Sequence, residues 1–217
     1  MVSRITRRSG LLLQIALLGS LLPALGGCKL IAVPFFAFGK DQTKKVPAEY
    51  PYLEGKQVCI VVWADEYTTF QYQFLPLEVS EHVRVALDAS VRGLTIVPNR
   101  EVIDYQKREL DWQSQNPAKI GKKFGADRVI MIELTQYTTR EPGSMHLYRG
   151  HMGGNVKIFD TAYSESGPAY QTVVEVAYPP DNFAAYGTDE RTLRRAILEL
   201  FANDLAGRFH ERQEKVK

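Results

Sequence analysis

The hydrophobic pattern of the chain contains several short apolar runs that predict β-strands. Residues 57–64 are apolar on both faces, and Val129-Ile130-Met131-Ile132 forms a second such run, as expected for strands buried on both faces. Other stretches alternate apolar and polar side chains, which predicts strands with one solvated face. The predicted strands are 57–64, 94–97, 127–139, 146–160 and 169–178.

Helical spacing separates these runs. Val79, Val83 and Leu87 fall on one face of a predicted helix. Pro76 is favourable in the first turn of that helix, and Gly93 is favourable just after its C-terminus. The predicted helices cover 75–91, Asn99 through Tyr105, 116–125, and about Thr188 to Arg212. The order β-α-β-α-α-β-β-β-α predicts a single α/β (α+β-like) domain, in which helices pack on a mixed sheet of roughly five strands.

The first 27 residues have the layout of a secretory signal peptide. Arg4, Arg7 and Arg8 precede an almost wholly apolar run, residues 11–22, and small residues follow it. A run of that length is shorter than the roughly 20 residues that cross a bilayer. We therefore predict export from the cytoplasm.

The small residues Leu25-Gly26-Gly27-Cys28 resemble a bacterial lipobox. The resemblance implies cleavage between Gly27 and Cys28, a diacylglyceryl group on the Cys28 thiol, and an acyl chain on its amine. These lipids anchor the chain in a membrane, and no other cofactor is expected. The alternatives are an ordinary secretory signal with a chance cysteine and an uncleaved N-terminal anchor.

Lys29, the residue after the predicted acylation site, indicates which membrane holds the anchor. In lipoproteins of bacteria with two membranes, Asp at this position commonly marks retention at the inner membrane. By this resemblance, Lys29 favours the periplasmic face of the outer membrane over the inner membrane.

The predicted organisation has four parts. A cleaved lipoprotein signal peptide (1–27) precedes a lipidated N-terminus and tether (28–54), a mixed α/β interaction domain (55–212) and a polar tail (213–217). Within the tether, the apolar segment Leu30–Phe38 either lies in the membrane interface or packs on the domain.

Processing changes the charge of the 217-residue precursor. The signal peptide contains three of the 27 basic residues and none of the 25 acidic ones, so the formal charge falls from +2 to −1. Because phosphate contacts dominate nucleic-acid affinity, a near-neutral chain without a basic cluster is not expected to bind nucleic acid.

Cysteine and histidine positions predict no metal site. Cys59 lies within an apolar run, and we expect it to be a small buried hydrophobe. His146 and His151 fall on opposite faces of one predicted strand, while His82 and His210 have no partner at metal-binding spacing.

Carboxylates follow the first strand. Asp65 and Glu66 lie at its carboxyl end, where open α/β sheets tend to bind ligands. With Glu133 or Asp160 they form the acid–base set of a hypothetical glycan hydrolase. We instead interpret them as a polar strand end, and we expect no catalytic residue and no enzyme.

Aromatic residues crowd the loop predicted after this strand. Tyr67, Phe70, Tyr72 and Phe74 lie within ten residues. Such rings are suited to partner binding because they offer a large contact area with little entropy loss. The alternative is that they fold back over the core.

The predicted domain resembles a group of envelope proteins. The group includes the penicillin-binding-protein activator LpoB, the curli-secretion lipoprotein CsgG and the N-terminal domain of the translocation protein TolB. The local similarities are the strand Lys56–Trp63, Leu94–Pro98 followed by Val102-Ile103, and Gly125-Ala126-Asp127-Arg128-Val129-Ile130. The resemblance covers 55–212 and implies a non-catalytic domain that binds a partner protein.

Three functions follow from these features. The first is an interaction module, anchored by lipid, in envelope assembly, transport or secretion. The second is a small periplasmic hydrolase that uses Asp65 or Glu66, and the third is a structural tether between outer membrane and cell wall. The sequence makes no prediction about partner identity or oligomeric state.

Overall fold

The structure is a computed structural model that describes residues 43–141, 143–144, 147–163, 165–179 and 189–215. The predicted signal peptide with Gly27, the acylation site Cys28 and the tether up to residue 42 lie outside the described residues. His146 and Thr188 also lie outside them.

The described part of the chain contains seven strands and five α-helices. The strands are β1 (Thr43–Val46), β2 (Gln57–Trp63), β3 (Thr95–Ile96), β4 (Arg128–Arg140), β5 (Tyr148–Asp160), β6 (Tyr170–Tyr178) and β7 (Arg212–Lys215). The helices are α1 (Glu66–Gln71), α2 (Leu75–Ser90), α3 (Asn99–Arg108), α4 (Pro117–Lys123) and α5 (Glu190–Ala206).

The chain divides into two compact units. Among the described residues, the smaller unit comprises 43–45 and 213–215, and the larger one comprises those from Val46 to Arg212. β1 and β7 pair as a two-stranded sheet. Residues 213–215, which we expected in a polar tail, therefore lie in a strand.

The larger unit is built on the mixed, five-stranded sheet that the sequence predicted. Its strand order is β3-β2-β4-β5-β6. β2 runs parallel to both β3 and β4. In this register Val58 lies directly beside Ile96 of β3 and beside Arg128 of β4. β4, β5 and β6 are antiparallel neighbours.

Both faces of β2 and β4 are buried, which explains their consecutive apolar residues. Val58, Ile60 and Val62 point into a core formed with α2 and α5. Cys59 and Val61 point the opposite way, into a second core formed with α3 and α4. Side chains alternate between the faces of a strand, so each core receives every second residue.

Glycines in β5 allow α5 to approach the sheet closely. A Cβ at Gly154 would lie 3.2 Å from the Phe201 ring, and one at Gly150 would lie 3.1 Å from Leu193. Phe201 and Leu193 are fully buried. The two glycines therefore fix the distance between the sheet and the last helix.

The structure corrects the predicted loop after β2. Residues 66–71 form the short helix α1. The sequence did not reveal it because its exposed face is aromatic, so no apolar stripe distinguishes one face from the other.

Two other boundaries differ from the prediction. Tyr50 and Leu53, which we assigned to the tether, are buried in the core with α2 and α5. α5 ends at Ala206 rather than near Arg212, and Gly207 occupies its C-cap. None of the helices described between residues 43 and 215 has the length and apolar character needed to cross a membrane.

Candidate functional site

The candidate site lies where the connections of two neighbouring parallel strands diverge. β2 continues through α1 into α2, which covers one face of the sheet. β3 continues into α3, which covers the other face. Open α/β sheets bind ligands in the crevice outside the carboxyl ends of strands at such a switch point.

A groove of about 420 Å³ occupies this position. It is bordered by the carboxyl end of β2, the segment between α1 and α2, one side of α3, and Trp112. Its apolar lining includes Trp63, Phe74, Pro76, Leu77, Ile103 and Trp112. The groove is therefore suited to an apolar side chain.

Gln106 connects the groove to the sheet. Its Nε2 donates a hydrogen bond to the Val62 carbonyl oxygen at 3.0 Å, which joins α3 to the end of β2. Its Oε1 is buried and has no hydrogen-bond partner among the described residues. Gln106 lines the groove together with the charged residues Arg100, Asp104 and Lys107.

Asp65 determines where α1 begins. Its Oδ1 accepts a hydrogen bond from the Thr68 backbone N–H at 2.9 Å, and its Oδ2 accepts one from Thr68 Oγ1 at 2.6 Å. This is an N-cap, which satisfies a backbone donor that the first turn leaves free. The same hydrogen bonds hold the pKa of the Asp65 carboxyl below its usual value.

Three of the four predicted aromatic residues are exposed. The relative exposure is 70% for Tyr67, 79% for Phe70 and 68% for Phe74. Phe74 also lines the groove. We call Tyr67, Phe70 and Phe74 the aromatic surface.

Tyr72 belongs to the core instead. Its ring packs edge-on against Tyr137, with 4.8 Å between centroids, and its hydroxyl lies 3.3 Å from Thr139 Oγ1. The Arg194 guanidinium lies 5.3 Å from the centre of the Tyr72 ring. The partner-binding interpretation therefore applies to Tyr67, Phe70 and Phe74, and the alternative of packing over the core applies to Tyr72.

Tyr50, in the segment that precedes β2, lies at the opposite end of β2 from the groove. Tyr50 Oη accepts a hydrogen bond from Arg128 Nε at 3.3 Å, and Arg128 is level with Val58 at the start of β2. At about 3.3 Å per residue, Val58 and Trp63 are roughly 17 Å apart along the strand. The aromatic surface follows Trp63 in the chain, and it therefore lies at the other end of β2 from Tyr50.

Two carboxylates of the hypothetical hydrolase, Glu133 and Asp160, form ion pairs. Glu133 is level with Trp63 and binds Lys157 Nζ at 2.8 Å. Asp160 pairs with Arg128 at 2.9 Å, at the other end of the sheet from Asp65. The arrangement does not bring Asp160 and Asp65 together.

The remaining candidates have local partners or are buried. His82 Nδ1 lies 2.8 Å from the Glu78 carbonyl oxygen, and His210 Nδ1 lies 3.0 Å from that of Ala206. Cys59 is fully buried, as expected, and desolvation raises the pKa of its thiol to about 12. Across the described ranges, no three His, Cys, Asp or Glu side chains are grouped to hold a metal ion.

Apart from Phe74, the groove residues were not predicted from the sequence. Trp63 ends the apolar run of β2, and Ile103, Gln106 and Trp112 follow β3. The available signal was the pair of tryptophans, Trp63 in a predicted strand and Trp112 between two predicted helices. Their meeting depends on the crossing of α3 behind β2, which no local pattern encodes.

No protein-family model matches this sequence, and no curated protein matches it either. Several solved structures are similar to it. The PelC dodecamer from Paraburkholderia phytofirmans is 6% identical with a TM-score of 0.46, and the match covers 76% of this chain and 96% of that chain.

Two other similar structures are of proteins named as lipoproteins. One, from Neisseria meningitidis, is 15% identical with a TM-score of 0.39, and the match covers 69% of this chain and 97% of that one. The other, a minor lipoprotein from Acinetobacter baumannii, is 12% identical with a TM-score of 0.32, covering 71% of this chain and 87% of that one.

Proposed function

We propose that this protein is a lipoprotein held by acyl chains on Cys28 at the periplasmic face of the outer membrane. Its domain binds a protein partner of the cell envelope through the aromatic surface and the adjoining groove. In this proposal the chain has no catalytic activity.

The observation that carries the proposal is the exposure of three aromatic rings beside an apolar groove. Large exposed aromatic side chains that adjoin a pocket are typical of protein-binding surfaces, because rings supply most of the binding energy at an interface. Tyr67 and Phe70 lie on α1, whose start is fixed by the Asp65 cap, and Phe74 is the N-cap residue of α2. The backbone that carries these rings is therefore ordered before the partner arrives, which lowers the entropy cost of binding.

The sequence features support the location. The lipobox residues Leu25-Gly26-Gly27-Cys28 predict acylation, and Lys29 favours the outer membrane. Two or three acyl chains on one residue give stable anchoring, since each buried methylene contributes about 0.8 kcal/mol. The resemblance of residues 55–212 to the LpoB, CsgG and TolB group also favours partner binding.

Site-specific photocrosslinking in intact cells tests partner binding. A photoreactive amino acid replaces Phe70 in the full-length protein, and in a matched control it replaces Val85, which is 57% exposed on α2. We expect position 70 to capture one defined envelope protein, and Tyr67→Ala with Phe74→Ala to abolish this product. Thermal unfolding of the double variant should match that of the parent.

Two results would contradict the proposal. One is the same set of crosslinked proteins from positions 70 and 85, and the other is a product that persists in the double variant. Crosslinking to peptidoglycan alone would instead support the structural tether.

Labelling with palmitate tests the anchor. Cys28→Ser is the test variant, and Cys59→Ala is the matched control. We expect labelled palmitate to enter the parent and the Cys59→Ala variant, but not Cys28→Ser. Cys28→Ser should also leave the membrane fraction. Equal labelling of both variants would refute anchoring at Cys28.

A further inference from the structure

The outer edge of β6 is open within the described residues. β6 is the last strand of the order β3-β2-β4-β5-β6, and it is nine residues long. Every second residue of an edge strand directs its backbone N–H and C=O away from the sheet. Those groups can pair with a further strand.

β6 lacks the features that usually prevent such pairing. Its sequence contains no Lys, Arg or Pro, and its only charged residue is Glu175. Its pairing with β5 is continuous from Tyr178 to Tyr170, whereas the pairing of β4 with β5 contains two register shifts. Proteins commonly block an exposed edge with lysine, proline or a bulge, so this edge is suited to receive a strand.

The opposite edge of the sheet cannot supply that strand. β3 has only two residues, Thr95 and Ile96, and Pro98 follows closely. Head-to-tail pairing of β6 with β3 of another copy would leave most of β6 unpaired. Pairing between copies therefore joins β6 to β6, which a twofold axis makes antiparallel and closed.

Side-chain chemistry favours a register centred on Val173 over one centred on Glu175. Gln171, Val173 and Glu175 share the face of β6 opposite to buried Val174, and Val173 is 55% exposed. With Val173 on the twofold axis, the two valines face each other and each Gln171 lies opposite a Glu175 of the other copy. A register centred on Glu175 would set two carboxylates against each other, which is unfavourable.

The same face of β6 is free of covering helices in the described part of the chain. The core that α3 and α4 form includes Phe159 of β5 and no residue of β6. A second copy of β6 therefore reaches Val173 without displacing a helix.

We propose that two copies of this chain form a symmetric dimer by antiparallel pairing of β6 with β6, with Val173 at the twofold axis. The pairing joins the two five-stranded sheets into one continuous sheet. It leaves the aromatic surface, at the carboxyl end of β2, available to a different partner.

Disulfide crosslinking of the full-length protein in membranes tests this arrangement. Directly opposed residues of antiparallel strands have Cα atoms about 4.5–5.5 Å apart, within the range that a disulfide spans. Val173→Cys is compared with Val85→Cys, a valine of nearly equal exposure, 57%, on α2, and with the parent. Under mild oxidation we expect a covalent dimer at Val173→Cys, at about ten times the yield of the control or more.

A second variant tests the pairing without crosslinking. Val173→Lys places two positive charges on the axis, so light scattering of the detergent-solubilised protein should give half the mass of the parent, while Val85→Lys leaves the mass unchanged. Equal crosslinking at both positions, no crosslinking at 173, or crosslinking only to another protein would overturn the dimer. Unchanged thermal unfolding of the Val173 variants would exclude misfolding as the cause.

Discussion

Glu49 and Arg208 form an ion pair that connects the start of the larger unit to the segment after α5, and the two residues are 159 positions apart in sequence. Arg208 Nη1 lies 2.7 Å from Glu49 Oε1, and Tyr170 Oη donates to Glu49 Oε2 at 2.6 Å. The Arg208 carbonyl oxygen accepts hydrogen bonds from the backbone N–H groups of Glu49 and Tyr50. The segment that precedes β2 is therefore joined both to the residues that follow α5 and to β6.

We predict that Glu49→Gln destabilises the protein in a pH-dependent way. Burial opposes ionisation of Glu49, but the hydrogen bonds from Tyr170 and Arg208 outweigh it, so the pKa of the carboxyl lies below its usual value. A lowered pKa in the folded state stabilises the protein above the unfolded value of about 4.3, and this stabilisation is lost as the pH falls through the folded value. Urea unfolding at pH 7 should show a loss of about 1 kcal/mol or less, because the pair is partly exposed.

Glu199→Gln is the matched control for this prediction. Glu199 pairs with Arg195 one turn away on α5, and both side chains are well exposed. We expect little change at any pH. A Glu49→Gln deficit that does not shrink as the pH falls through the pKa of the folded carboxyl would contradict the assigned cause.

Gly121→Ala should destabilise the fold. A Cβ at Gly121 would overlap Val129 Cγ2 and lie 2.8 Å from Thr161 Cγ2, where α4 meets β4. Forcing an extra methyl group into such a contact costs about 1–3 kcal/mol in the free energy of unfolding. Gly167→Ala, with no atom within 4 Å of the added Cβ, should unfold like the parent.

Cys59 should resist alkylation in the folded protein. Its thiol is fully buried, and desolvation raises its pKa to about 12, so almost no thiolate exists at pH 8. In a Cys28→Ser background, iodoacetamide should modify Cys59 only after denaturation, as measured by intact-protein mass. Modification of the folded protein at the rate of a free thiol would show that β2 is accessible.

Asp65 variants should separate a helix cap from an acid catalyst. Asparagine can accept the Thr68 backbone hydrogen bond that Asp65 accepts, whereas alanine cannot. We expect Asp65→Asn to keep the parent melting temperature and its partner crosslink at position 70, and Asp65→Ala to reduce both. A glycan-hydrolysing activity that Asp65→Asn abolishes would instead support the hydrolase.

The sequence predicted the parts of the fold that depend on local periodicity. The five strands of the main sheet, α2, α3, α4 and α5 were all found from apolar spacing and from residues such as Asn116, whose side chain caps α4. It also identified Tyr67, Phe70 and Phe74 as candidate binding residues. It missed α1, because a six-residue helix with an aromatic exposed face has no apolar stripe.

The groove and the open edge depended on strand order. Trp63 and Ile103 meet only because α3 crosses behind β2, and β6 is an edge only because β2 pairs with β4 and not with β6. Likewise, the sequence does not distinguish Tyr72 from its aromatic neighbours. In the structure it packs on the core because Tyr137 and Arg194, from distant elements, contact its ring.

By itself, the sequence determined most of the secondary structure and predicted a location at a membrane, because hydrophobic period, caps and the lipobox are properties of neighbouring residues. The tertiary structure decided which aromatic rings stay in solvent, which carboxylates are paired, and which sheet edge is open. Those properties depend on which distant segments pack together, and burial is a property of the packed sheet rather than of any single segment.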